Sequence, residues 1–131
     1  MGTEIEMILR LLLAAFLGSC IGYQRERAGK PAGLRTHILI CVGSALFTIA
    51  SIQGFGGVNP AQVAAGIVAG IGFLGAGAII RTREHLVGLT TAATIWAVAA
   101  IGLAAGAGLY ILSAITTAIA LIILLLPHPI G

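Results

Sequence analysis

The sequence predicts an all-α integral membrane protein, and three observations predict it. Apolar residues make up 59% of the 131 positions and charged residues 8%, against about 45–50% and about 25% in soluble domains. There is no aspartate, and the four acids are Glu4, Glu6, Glu26 and Glu84, so long stretches have nothing to present to water. Five apolar segments recur, each close to the ~20 residues that a helix needs to cross ~30 Å of hydrocarbon. Helices are required, because an open strand leaves its amides unpaired in lipid and the period-two alternation of a barrel is absent. Residues 1–131 are expected to form a single domain, since the length leaves no room for a second folded unit.

The first span is 5–23. Leu17-Gly18-Ser19-Cys20 resembles a lipoprotein cleavage box, but the basic start of a signal peptide is missing: Glu4 and Glu6 come first, and Arg10 falls inside the apolar run. The segment reads as a membrane helix. A basic connection, 24–35, carries Arg25, Arg27, Lys30 and Arg35 and leads to the second span, 36–52. The stretch "GFGGVNPAQ" has no charge and leads to the third span, 61–80. A second basic connection, 81–88, carries Arg81 and Arg83 before the fourth span, 89–106. The uncharged turn "AAGAG" then joins it to the fifth, 109–126. Lysine and arginine collect on the cytoplasmic side, so the N-terminus is expected outside and the C-terminus inside.

The third span contains "GIGFLGAG", residues 70–77, which fits the G-x-G-x-x-G of dinucleotide sites. No strand precedes it and no acid stands about 20 residues further on to hold a ribose, so the nucleotide reading fails. Gly66, Gly70, Gly72, Gly75 and Gly77 read instead as small residues that let helix backbones approach, where lipid supplies no hydrophobic drive. The third helix is expected to be the packing hub. Its partner is either within the chain or a second copy, and Gly66-x-x-x-Gly70 is the stripe that dimers use, so a homo-oligomer is expected, a dimer first.

Two stretches echo one another: "LGSCIGYQRERAGKPAGLRT" from Leu17 and "LGAGAIIRTREHLVGLTT" from Leu74. Each runs from Leu-Gly through a basic loop to a Gly-Leu that opens the next helix. They suggest two helix hairpins of the same orientation, a parallel repeat, with the fifth helix added.

The repeat places the helix starts at Arg35-Thr36-His37 and Thr90-Thr91 side by side on the cytoplasmic face. Free amides, threonine hydroxyls and nearby Arg25, Arg27, Lys30, Arg35 and Arg81 suit an anion: a phosphate, a nucleotide, a lipid headgroup or an acidic partner. The plainer reading has threonine capping its helix and the cations setting topology and touching anionic lipid. Glu26 is expected to pair with Arg25 or Arg27, and Glu84 with Arg83. His37 and His85 read as solvated or hydrogen-bonded rather than metal-binding, and His128 in the tail carries no role. Arg10 is expected to snorkel outward beside Glu6. Trp96 lies well inside the fourth span and needs an acceptor for its indole N–H, so Thr90, Thr91 and Thr94 are read with it as a polar seam. Cys20 and Cys41 read as small apolar fillers.

These features exclude several classes. Basic residues without interleaved aromatics do not suit nucleic acid. No nucleophile–base pair or carboxylate pair supports an enzyme, no metal set or cofactor motif is present, and none of the expected spans holds an acid that could ligate Mg²⁺.

The segments "RERAGKPAGLRTH", "GIGFLGAGAIIR" and "GLTTAATIWAVAAIGLAAGAGLY" stand in an order that resembles the MgtC/SapB family of bacterial inner-membrane proteins. The resemblance covers nearly the whole chain. It implies a multi-pass protein of the bacterial inner membrane linked to low-magnesium adaptation and, in pathogens, to survival in host cells. It further implies action through other membrane machinery, such as the ATP synthase and the membrane potential. Departures are Asn59 and Gln62, where the family often has an acid and a base, and Gly66, where it often has glutamine. Larger members carry a C-terminal cytoplasmic domain, whereas this chain ends at Gly131. The expected function is regulation through lipid or protein contacts. The alternative is a transporter or channel with its path between the two hairpins near Trp96.

Overall fold

The computed structural model describes residues 2–54, 59–81 and 86–126. Helix α1 spans Gly2–Arg27 and α2 Leu34–Ile49, and α2 continues into a π-helical turn, Ala50–Gly54. Helix α3 spans Pro60–Ala78, α4 Leu89–Gly106 and α5 Tyr110–Leu124. Between α3 and α4, the two-residue strands β1 (Ile80–Arg81) and β2 (Leu86–Val87) pair antiparallel, Ile80 opposite Val87. The helical membrane fold that the sequence predicts is what forms. Four helices are long and apolar enough to cross a membrane, while α5 has 15 residues.

The α4 bounds coincide with the expected 89–106, but α1 is longer than 5–23 at both ends. At ~1.5 Å per residue its 26 residues exceed the hydrocarbon thickness, so the helix carries Glu4, Glu6, Arg25, Glu26 and Arg27 on its end turns. The expectation that the spans are free of acid is corrected: Glu6 falls within 5–23 itself, and Glu4 and Glu26 are helical as well, at the two ends of α1. Both α1 and α4 stop on the same device. Gly29 and Gly108 adopt φ of 73° and 86°. The amides of Lys30 and Leu109 then return to the carbonyls of Arg25 and Ala104 at 3.1 and 2.9 Å. This left-handed cap satisfies the last carbonyls and suits glycine.

Within the chain the hub is α4 and not α3, which corrects the intrachain form of that expectation. Half of α4's span is buried within the protein against 17% of α3's. The main core joins Ala14, Leu17 and Ile21 of α1 to Cys41 and Ala45 of α2 and Val98, Ile101 and Ala105 of α4. A smaller one joins Ile67 and Ile71 of α3 to Ile95 and Ala99 of α4.

Close approach depends on two glycine pairs at small-x-x-x-small spacing, Gly18 with Gly22 on α1 and Gly102 with Gly106 on α4, both of which face α2. A Cβ on Gly18 would lie 2.8 Å from Cys41 Cβ, one on Gly106 would lie 2.6 Å from the Ala45 carbonyl, and one on Gly102 would strike the Cys41 carbonyl. By contrast, a Cβ on Gly66, Gly70, Gly72 or Gly77 meets nothing within 4 Å, and one on Gly75 meets only Ala92, at 3.7 Å. Of the α3 glycines only Gly75, buried against Ala92, packs within the chain, and none is needed for a close backbone approach there.

Candidate functional site

The buried stripes of α1, α2 and α4 end together at the basic end of the bundle. On α1 the stripe Ala14, Leu17, Ile21 continues at helical spacing to Arg25, which is 3% exposed. On α2 the stripe Ala45, Cys41 runs back to His37, which is fully buried. On α4, Val98 and Ile95 lead back to Thr94 and Thr91. An apolar interior thus gives way to a guanidinium, an imidazole and two hydroxyls.

Their bonds form one chain across three helices. Arg25 Nη2 donates to Thr91 Oγ1 at 3.1 Å. Thr94 Oγ1 donates to the Thr91 carbonyl at 2.8 Å and lies 2.9 Å from His37 Nε2. His37 Nδ1 is 2.8 Å from the Gly33 carbonyl. A carbonyl only accepts, so Nδ1 carries the proton, and in the neutral ring Nε2 is an acceptor. The single Thr94 proton is then shared between the ring and the Thr91 carbonyl, which ties the setting of α2 to that of α4. Arg25 Nε has no partner, nor do the buried Gln24 Oε1 and Ser51 Oγ. Among the described residues no carboxylate forms an ion pair with Arg25; the single such pair is Arg10 with Glu6. A buried cation without an anion is costly in a membrane and marks a site.

The helix starts differ from expectation. The N-caps of α2 and α4 are Gly33 and Gly88, without a side-chain cap bond, so threonine caps neither. Glu26 does not pair with Arg25 or Arg27. It reaches across the turn, and its Oε1 accepts the Leu34 amide at 3.0 Å, satisfying one of the free amides that begin α2. Arg25 itself belongs to the helix and not to the loop.

Of the expected anion set, the structure gathers Arg25, His37 and Thr91, and they are joined by Thr94, expected instead in the seam with Trp96. Arg27, Arg35 and Thr36 are exposed, and Lys30 and Thr90 half-buried. Arg27 donates to Tyr23 Oη at 3.0 Å and lies over that ring. The Arg81 side chain and Arg83, Glu84, His85 and His128 lie outside the described residues. The expected seam of Thr94 with Trp96 is not formed. Thr94 faces His37, whereas Trp96 is 57% exposed on the other side of α4, over a hollow with Gly72, Gly75 and Ala76.

The opposite end holds a second polar group that sequence reasoning reached only in part. Arg10 Nη2 donates to Glu6 Oε2 at 2.7 Å, Nε to Tyr110 Oη at 3.0 Å, and Nη1 to the Gly106 carbonyl at 2.9 Å. Arg10 therefore binds α1 to the end of α4 and the start of α5, where a snorkel to water was expected. The roles of Tyr110 and the buried Ser44, whose Oγ donates to the Ala99 carbonyl at 2.7 Å, carried no signal that spacing alone reveals.

Comparison with known proteins adds the following. The family model described as MgtC family matches residues 11–131. The protein named "Putative magnesium transporter YhiD" of Escherichia coli (strain K12) is 47% identical over 131 aligned positions, covering 94% of this chain and 61% of its own. Protein SrpB of Synechococcus elongatus is 44% identical over 130, covering 88% of this chain and 71% of its own. Protein MgtC of Brucella abortus (strain 2308) is 47% identical over 104, covering 79% and 44%. The chain thus spans 61% of the YhiD length and less than half of the Brucella protein. No solved structure matches it.

Proposed function

The chain belongs to the MgtC family, and from that premise we propose that it is the membrane part of a regulator that acts on other membrane machinery, not a stand-alone carrier of Mg²⁺. The observation that supports this is the sign of the polar interior. Where α1, α2 and α4 meet at the basic end, the groups are Arg25, His37, Thr91 and Thr94. Mg²⁺ requires oxygen ligands, usually with carboxylates among them, and sheds its water reluctantly. Among the described residues no group of three acids, histidines or cysteines stands together as ligands. Glu6 is engaged by Arg10 and Tyr110, and Glu26 by the Leu34 amide.

On this reading the basic end faces the cytoplasm in a bacterial inner membrane, the N-terminus lies outside, and the protein acts as a homo-oligomer, a dimer first. Its magnesium connection is regulatory and runs through the ATP synthase and the membrane potential. ATP-driven proton pumping in inverted membrane vesicles tests it. Vesicles containing the chain should pump less than vesicles without it, and Arg35→Ala, on the exposed part of the basic face, should restore pumping. Equal pumping in all three would remove the regulatory reading.

Transport is the second reading, favoured by the magnesium transport in the name of the K12 relative. Saturable flux in proteoliposomes that fails in Trp96→Ala would support it.

A further inference from the structure

The groups around the buried ring of His37 suit a doubly protonated imidazole as well as a neutral one. Nδ1 donates to the Gly33 carbonyl at 2.8 Å, which keeps a proton there in either charge state. Nε2 lies 2.9 Å from Thr94 Oγ1, and a hydroxyl both donates and accepts. With the ring neutral, Thr94 turns its proton to Nε2 or to the Thr91 carbonyl at 2.8 Å, and one of the two goes without it. With the ring protonated, Nε2–H donates to Thr94 Oγ1, and the Thr94 proton goes to the Thr91 carbonyl. Every donor in the chain then has an acceptor, and no heavy atom has to move. A second proton on the ring is met by hydrogen bonds already in place.

The charge of that proton is not met. From α1 the ring faces Arg25, the described charge that bears on it. Glu26 lies across the same turn, and its Oε1 is occupied by the Leu34 amide. On α2 itself Arg35 is exposed and Cys41 lies one turn deeper, and Lys30 of the connection is half-buried. Neither α3 nor α4 contains an ionisable residue, and α4 presents the hydroxyls of Thr91 and Thr94. Among the described residues no carboxylate pairs with Arg25 or His37. Two buried cations without an anion repel one another strongly where water is excluded. Arg25 is the one that gives way. It is held by a single bond, to Thr91 Oγ1 at 3.1 Å, whereas the ring is held at both nitrogens. It also stands in the last turn of α1, from which a long side chain reaches water.

We propose that His37 is a proton-operated latch on the basic end of the bundle. With the ring neutral, Arg25 lies against Thr91 and α1 closes on α4. With the ring protonated, His37 keeps its own bonds, the Arg25 guanidinium is expelled towards water, and α1 loosens from α4 at that end. The closed arrangement is held at neutral pH and given up as the pH falls and the ring takes its second proton. The inference goes beyond the regulatory reading and does not depend on it.

The test is hydrogen–deuterium exchange of the full chain in nanodiscs at pH 7.5 and pH 5.0, on either side of the ordinary histidine value of about 6.5. Rates are corrected for the effect of pH on an unprotected amide and followed across residues 20–27 and 91–98. Exchange there should be about tenfold faster at pH 5.0. In His37→Gln, which takes no proton, and in Arg25→Gln, which has no charge to expel, the two pH values should give equal rates. Glu26→Gln should keep the tenfold difference. No difference in the unaltered chain, or a difference that persists in Arg25→Gln or His37→Gln, would overturn the proposal. A difference lost in Glu26→Gln would give the switch to that carboxylate and overturn it equally. If His37→Gln exchanges fast at both pH values because its basic end has unfolded, Arg25→Gln decides alone, equal rates supporting the latch and a tenfold difference ending it.

Discussion

Two arginines on the same helix, about four turns apart, are treated in opposite ways. Arg10 meets a carboxylate, a phenol and a carbonyl, and every partner comes from a helix end. Arg25 is more deeply buried and meets one hydroxyl, with its Nε unmet and no described carboxylate beside it. The difference separates two uses of charge in a membrane protein. Arg10 fastens the bundle, because its donors are filled from within the fold. Arg25 is buried with no carboxylate among the described residues to answer its charge, so the bonds around it do not offset its desolvation.

Mutations can break or sharpen this contrast. The largest loss is expected at His37, the fixed point of the basic end. His37→Ala removes its two hydrogen bonds and leaves a cavity between α2 and α4, and thermal unfolding in detergent should show a cost of about 2–3 kcal/mol. Next come the arginines, for which the signs should differ. Arg10→Met should destabilise by roughly 1–2 kcal/mol, the clasp being partly screened by water. Arg25→Met should leave lipid-free stability unchanged or raise it, since it removes a desolvated charge. A loss at Arg25 as large as that at Arg10 would mean that its charge is satisfied inside the fold. The smallest effect is expected for Glu6→Gln, whose pair with Arg10 is exposed. The melting temperature should fall slightly at low salt and not at all at high salt.

The extent to which the sequence reveals this arrangement varies along the chain. Apolar length locates all five helices, and the bounds of α4 coincide because glycine stands at each of its ends: Gly88 before it, then Gly106 and Gly108 around its close. The end of α1 is misread because the first charged residue looks like the start of a loop. Yet Arg25 falls on the same stripe as Ala14 and Ile21, and that spacing is the signal that would place it in the interior. The α3 glycines mislead for another reason. Small residues state that a close approach is possible, not which helix makes it, and Gly18, Gly22, Gly102 and Gly106 show the same spacing on the helices that do. The Glu26 cap and the Tyr110 and Gly106 partners of Arg10 depend on where separate helices end in space. Neighbours in sequence cannot show that.

The central claim is that this polar interior, cationic and without a carboxylate among the described residues, does not conduct Mg²⁺. Uptake of Mg²⁺ into proteoliposomes, read with an entrapped fluorescent chelator under an imposed membrane potential, measures it directly. The account predicts uptake equal to that of protein-free liposomes. Saturable uptake that depends on the protein and disappears in Trp96→Ala would contradict it.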